Sequence, residues 1–264
     1  MPSRSVDSSG PASLEWLGML SNSGAGGTGG ASRAEQVAAQ LEAGIALGLL
    51  EEGTWLPPEA QLAAALGTSQ MTLRVALATL RGQGLIETVR GRRGGSLVRE
   101  SHSSDEAQFE RRLLQTGTEH LRDVGDLYCA VASSAAQLAA DRADEPEIEH
   151  LSELAASLRT APSLSEHWRT ASRFQIAVGV AAQSSRLTAT LLQVQVEIAT
   201  LRAPRLTSPE QVEDTVAGIQ AVAEAVREHD ATAAAATARS NCQLEIDTLI
   251  EHRLRLLIET EGHS

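Results

Sequence analysis

The stretch from Leu56 to Arg81, LPPEAQLAAALGTSQMTLRVALATLR, constrains the fold more than any other part of the chain. It reads as two short helices joined by a tight turn. Pro57-Pro58-Glu59 is a helix start, because proline is tolerated in the first turn and a carboxylate suits the positive end of the helix dipole. Leu62, Ala65 and Leu66 then recur at helical spacing, and Gly67 supplies the residue after the helix, where a left-handed conformation is usual. Thr68 or Ser69 caps the second helix, on which Leu73, Ala76, Leu77 and Leu80 share one inward face. Gln70, Met71, Thr72, Arg74 and Val75 are left on the outer side and first turn, and Gly82 and Gly84 end the helix.

Beyond Gly84 the pattern changes to strand, glycine-rich basic tip, strand: Leu85 to Val89, then Arg90-Gly91-Arg92-Arg93-Gly94-Gly95, then Ser96 to Val98. Such a hairpin beside a helix-turn-helix is a wing. In this arrangement the N-terminal residues of the second helix meet base edges in the major groove while neighbouring elements hold phosphates. The charge agrees: Ala60 to Arg99 carries a net +5 in a chain whose total is −12. Arg74, Thr72 and Gln70 are the expected groove contacts, with Ser69 and Met71 beside them. Arg90, Gly91, Arg92 and Arg93 are expected at phosphates or the minor groove.

From Ala34 to Val98 the sequence resembles the winged helix-turn-helix of the GntR transcriptional regulators. The resemblance runs through AEQVAAQLEAGIALGLL, LPPE, QLAAALGTS, TLRVAL, LRGQGLIE and the RGRRGG tip. It implies a sequence-specific reader of double-stranded DNA, expected to act as a repressor. Two departures alter the surface: Ala60 and Gln70 stand where the family usually carries arginines that touch DNA. Met71 takes a place that is usually polar or small. Since Arg matches guanine and Gln matches adenine, the departures imply an atypical operator or more reliance on the wing.

The remaining chain reads as helix. Residues 1 to 30, rich in Ser, Gly and Pro, are expected to form a disordered tail, since they bring too little apolar surface to order themselves. No secretory leader is expected there, because Asp7 and Glu15 interrupt a short apolar run. The reader occupies 31 to 100, and from 101 to 264 only helical patterns appear. They span about 105 to 116, 119 to 142, 146 to 159, 163 to 183, 185 to 202, 208 to 228 and 230 to 259, separated by prolines and small polar residues. The expected fold class is therefore mainly α: a winged helix-turn-helix (α+β) joined to an all-α antiparallel bundle, with room for a ligand in the bundle. This half carries a net −11, so it should keep away from DNA. Cys129 and Cys242 lie far apart in helical patterns, which suits buried thiols in a reducing cytoplasm. No apolar run is long enough to span a membrane.

The helical half resembles the effector-binding and dimerising FCD domain of FadR-type GntR proteins. LRDVGDLYCAVASSAAQLAADRADEPEIEHL is similar to its first long helix and following turn, and AGIQAVAEAVREHDATAAAATARSNCQLEI to its last pair. Many such domains hold a divalent metal with one Asp and three His, and grip a carboxylate ligand. On the matching positions this chain has Ala171, Gln175, Ile219 and Asn241, while Val131 replaces an arginine of the first long helix. The resemblance thus implies a pocket lined by Val131, Ala171, Gln175, Ile219 and Asn241, without metal or other cofactor, because amide oxygens are poor ligands for transition metals. Its small-molecule effector is expected to be neutral or apolar rather than a metal-bound carboxylate, with Arg173 the one cation considered for balancing buried negative charge. The seven histidines, at 102, 120, 150, 167, 229, 252 and 263, show no metal-binding spacing and are expected mostly on the surface. No catalytic motif is present, so no enzyme is expected. The partners implied are operator DNA, a small molecule and a second copy of the chain in a homodimer. An alternative stays open, in which the helical half has lost its ligand and serves dimerisation alone. A third reading keeps the ligand and makes the reader vestigial.

Overall fold

The computed structural model describes residues 32–89, 94–99, 106–202 and 206–261, with side chains left out at 106–108. The expected tail at 1–30 and the wing tip Arg90, Gly91, Arg92 and Arg93 lie outside the described residues. The chain divides into two compact units, the first holding Met1–Ile45 and Leu49–Glu100 and the second Ala46–Gly48 and Ser101–Ser264.

In the first unit, α1 (Arg33–Ala46) begins at a reciprocal cap. The Glu35 amide donates to Ser32 Oγ at 3.3 Å and the Ser32 amide to Glu35 Oε2 at 2.6 Å. Val37, Ala38, Leu41 and Ile45 recur every three or four residues and are buried. The second and third helices are α2 (Glu59–Ala65) and α3 (Gln70–Gly82). Gly67 between them has φ +57, a conformation that costs a residue with a Cβ. Ser69 caps α3 by accepting from the Thr72 amide at 3.1 Å. Leu62, Leu66, Leu73, Leu77 and Leu80 form the seam on which the two helices pack.

The wing is β1 (Ile86–Val89) antiparallel to β2 (Gly95–Val98), with Ile86 opposite Val98 and both buried. A third, very short strand adds to β2 at Trp55, whose bridge to Leu97 is flanked by Leu56 N to Ser96 O at 2.8 Å and Val98 N to Thr54 O at 2.9 Å. The Trp55 ring crosses close over Gly95, where a Cβ would sit 3.3 Å from the ring and would need the ring to shift slightly.

The second unit is helical throughout its described residues: α4 (Glu106–Gln115), α5 (Thr118–Arg142), α6 (Glu145–Ser157), a 3-10 turn at Leu158–Thr160, α7 (Leu164–Ala181), α8 (Ser185–Ala199), α9 (Pro209–Arg227) and α10 (Ala231–Glu261). Asp144 with Glu147, and Ser208 with Gln211, form capping boxes that start α6 and α9, so both breaks are fixed by local chemistry. The central helix α5 packs along α10, α7, α8 and α9. Its contacts with α10 run from Thr118 with Arg253 through Tyr128 with Glu245 to Ser133 with Ala235, which makes the two antiparallel. Its inward face is built of Ala132, Ala135, Ala136, Ala139 and Ala140, and small side chains permit close approach. At Gly125 a Cβ would lie 2.9 Å from Ile246 Cγ2, so a side chain there would push Ile246 out of its place. Cys129 and Cys242 are free, buried thiols, and burial pushes both above their usual range.

Candidate nucleic-acid interface and effector cavity

On the winged unit, α3 turns Gln70, Met71, Arg74 and Val75 outward while Leu73, Ala76, Leu77 and Leu80 face in. The Ser69 and Thr72 hydroxyls are 2.8 Å apart, and Ser69 also caps the helix, so both are committed to local structure; Thr72 is half-buried. Arg74 Nε donates to Glu59 Oε2 at 2.7 Å, with side chains 60 % and 43 % exposed. A pair this open is worth little as stability, and it lays the Arg74 side chain toward the start of α2. Arg99 is likewise held by Glu87 at 2.6 Å beside the hairpin.

The helical unit contains a cavity between α7, α9, α10 and the segment after α8, with an empty volume of about 740 Å³ counting its open mouth. Ala171, Gln175, Ile219 and Asn241 line it together. Val131 does not: it packs half-buried on the core, because no α5 residue reaches the cavity and the inward face of α5 is taken up by neighbouring helices. The expectation for Arg173 also requires correction. Its guanidinium is held by Glu166 and Thr170, and it is not a lining residue.

The cation of the cavity is Arg202. It pairs with Glu245, donates to Ser172 Oγ at 3.1 Å and lies over the Trp168 ring with Cζ 4.9 Å from the centroid. Behind Glu245, Tyr128 Oη donates to its Oε2 at 3.3 Å and accepts from Gln195 Nε2 at 2.8 Å. Tyr128 is wholly buried, and that burial drives its phenol well above the usual range, so it stays a neutral donor. A polar chain from Gln195 through Tyr128, Glu245 and Arg202 to Ser172 therefore backs one wall.

Asn241 lies against Gly218 of α9, where a Cβ would come within 2.6 Å of Asn241 Cγ, so glycine gives the amide its place. Asn241 Nδ2, Trp168 Nε1 and Arg202 Nε are buried without hydrogen-bond partners. His252 also lines the cavity, buried, and its ring nitrogens have no well-formed hydrogen bonds. Burial first, then Arg255, pushes its pKa down to about 4, opposed by the Leu206 backbone. His167 is buried as well and lowered, chiefly by desolvation. The expectation of surface histidines holds for His120, His150 and His229, fails for His167 and His252, and falls outside the described residues for His102 and His263.

Among the described residues no three His, Cys, Asp or Glu side chains converge as metal ligands. Ala171, Gln175, Ile219 and Asn241 offer two amides and no imidazole or carboxylate, a set that does not fit the metal of the FCD resemblance. Among the described residues no helix is long and apolar enough to cross a membrane.

Two family profiles match. "Bacterial regulatory proteins, gntR family" covers residues 33–95, and "FCD domain" covers residues 123–243. RmpR of Mycobacterium gastri, which carries the name of an HTH-type transcriptional regulator, is 38 % identical over 165 residues, 62 % of this chain and 60 % of that one. The Glc operon transcriptional activator of Escherichia coli K12 is 34 % identical over 163 residues, 60 % of this chain and 63 % of that one. The chain thus spans less than two thirds of either relative. Among solved structures, E. coli McbR/YncC is similar in fold, with a TM-score of 0.52 at 19 % identity, covering 84 % of this chain and 98 % of that chain.

Proposed function

We propose, on the premise that this chain belongs to the GntR family of bacterial regulatory proteins and carries an FCD domain, that it is a cytoplasmic transcriptional regulator which binds operator DNA as a homodimer and releases or engages it according to a small molecule held in the helical unit. The observation that carries the reading is the built surface of α3: a capped helix whose outer side presents Gln70, Met71 and Arg74, with Arg74 oriented by Glu59. Two-fold symmetry would set two such helices on pseudo-palindromic half-sites. We read it as a repressor; since one similar protein is named an activator, the sign of control is taken to depend on where the operator lies relative to the promoter.

The cavity supports a ligand class. The Arg202 charge is answered by Glu245, Asp214 stands at the lining, and His252 is neutral at ordinary pH, so an added carboxylate meets no uncompensated cation. A neutral molecule with an apolar body and oxygen acceptors suits the apolar wall and the donors of Trp168, Asn241 and Arg202. A ligand-independent reading draws on the absence of metal-ligand residue types at positions 171, 175, 219 and 241, but it leaves the buried polar chain at the cavity unused.

A fluorescence-anisotropy titration of the full chain against DNA from upstream of its own gene and a scrambled duplex, across a salt series, tests the regulator reading. Tighter binding to the native duplex, with affinity falling steeply as salt rises, is expected. Equal, weak binding to both, and to every duplex in a random pool, would refute it.

A further inference from the structure

The outer face of α3 carries large apolar side chains where a helix that hydrogen-bonds to bases would carry polar ones. Met71 is 71 % exposed and Val75 51 % exposed. They are four residues apart and so share a face, which the exposed Ala78 extends. Scattered exposed apolar residues are ordinary on any protein. These two are set apart by position: they occupy the first two turns of the helix, beside Gln70 and Arg74, with the inward seam on the opposite side. Of the polar groups around them, Ser69 and Thr72 are committed to the cap, while Gln70 and Arg74 stay exposed, Arg74 in an open pair with Glu59.

The surrounding sequence, with its net +5 from Ala60 to Arg99, complements a polyanion rather than the apolar surface of another protein. In the major groove one base edge is apolar, the C5-methyl of thymine. Resting on the reading of α3 as the recognition helix, we infer that Met71 and Val75 read thymine methyl groups. Each half-site then holds at least one thymine beside the bases addressed by Gln70 and Arg74, which favour adenine and guanine respectively.

The experiment removes only the methyl. A preferred operator is selected from random duplexes with the full chain, and each thymine in its half-site is replaced in turn by deoxyuridine, which keeps pairing and every hydrogen-bonding edge. At one or two positions affinity should fall about fourfold, the scale of one methyl group withdrawn from contact. Met71→Ala and Val75→Ala, both exposed and expected to melt like the parent, should bind the thymine duplex more weakly and show no further loss with deoxyuridine at the matching position. A selected operator indifferent to every deoxyuridine, or a sensitive position that stays sensitive in both variants, overturns the inference while leaving the regulator reading standing. If selection recovers no preferred sequence, the regulator reading fails and the inference fails with it.

Discussion

The Arg202–Glu245 pair offers the sharpest test of the cavity, because its side chains are only 10 % and 19 % exposed. Removing one partner of a buried pair costs about 3–5 kcal/mol, since the other charge is left desolvated. Partial exposure places this pair at the low end. Arg202→Met keeps an unbranched stem on Trp168 but leaves the Glu245 carboxylate with a single neutral donor, Tyr128, at 3.3 Å, so about 3 kcal/mol should be lost. Glu245→Gln keeps an oxygen that can accept from Arg202, and Arg202 retains Ser172 and the ring face, so about 1–2 kcal/mol should be lost. The double variant has no orphaned charge. It should cost about 2 kcal/mol in total rather than the sum, giving a coupling energy of about 2–3 kcal/mol. Urea unfolding of the four proteins, followed by far-ultraviolet circular dichroism at matched m-values, measures it. A coupling below about 0.5 kcal/mol would mean that water screens the pair and that Glu245 does not balance the Arg202 charge in the cavity.

Three further outcomes rest on particular contacts. The pKa of His252 is depressed to about 4, below its value of about 6.5 in an unfolded chain. The unfolded state therefore binds the extra proton between these limits. Stability from this group is complete above the upper limit and is lost as pH falls toward the lower one; His252→Gln should narrow the gap between melting temperatures at neutral and acidic pH, with His167 retaining some slope of the same sign. Gly218→Ala should not stabilise the parent, because the new methyl displaces the Asn241 amide. In an Asn241→Ala background it should stabilise by up to about 1 kcal/mol, the helix preference of alanine over glycine; a gain of that size in the parent would show that the amide does not hold its place. Arg74→Ala should lose about 1–3 kcal/mol of operator preference, read as the ratio of specific to scrambled binding. Glu59→Gln should leave the melting temperature unchanged, as expected of an exposed pair.

The winged unit was legible from its sequence because each of its signals is local. Gly67 before Ser69 and the seam Leu73, Ala76, Leu77 and Leu80 act within a few residues, and α3, β1 and β2 lie where the sequence places them. The helix boundaries of the second unit fall within a few residues of their expected places for the same reason, fixed at Asp144 and Ser208 by side chains that cap their own helices. The strand through Trp55 escaped because a single bridge has no alternation to read. Val131 was misplaced by position in a motif. Helix α5 does reach the polar network, but through Tyr128, three residues earlier, and from behind Glu245 rather than from the cavity.

Arg202 and His252 escaped for a different reason, and their signal was present. Along α10 the buried residues run Ala234, Ala238, Cys242, Ile246, Leu249, His252, Leu256, a spacing of three or four in which His252 stands where an apolar residue belongs. Along α8 they run Leu191, Gln195 and Ile198, with Gln195 the polar residue in that seam, and Arg202 follows in the segment just beyond the helix. A polar side chain on a seam cannot turn to water without unwinding its helix, and burying it alone costs several kcal/mol. It persists only if other polar groups meet it. Two seams interrupted in this way, on helices packed into one bundle, therefore imply a polar interior where they converge, even when no motif names it. The structure supplies the meeting: Gln195 reaches Arg202 through Tyr128 and Glu245, and His252 lines the same cavity. The residues that best distinguish this cavity from a metal-holding one are thus those that break the apolar period, and the positions taken from the family motif mark where its wall runs.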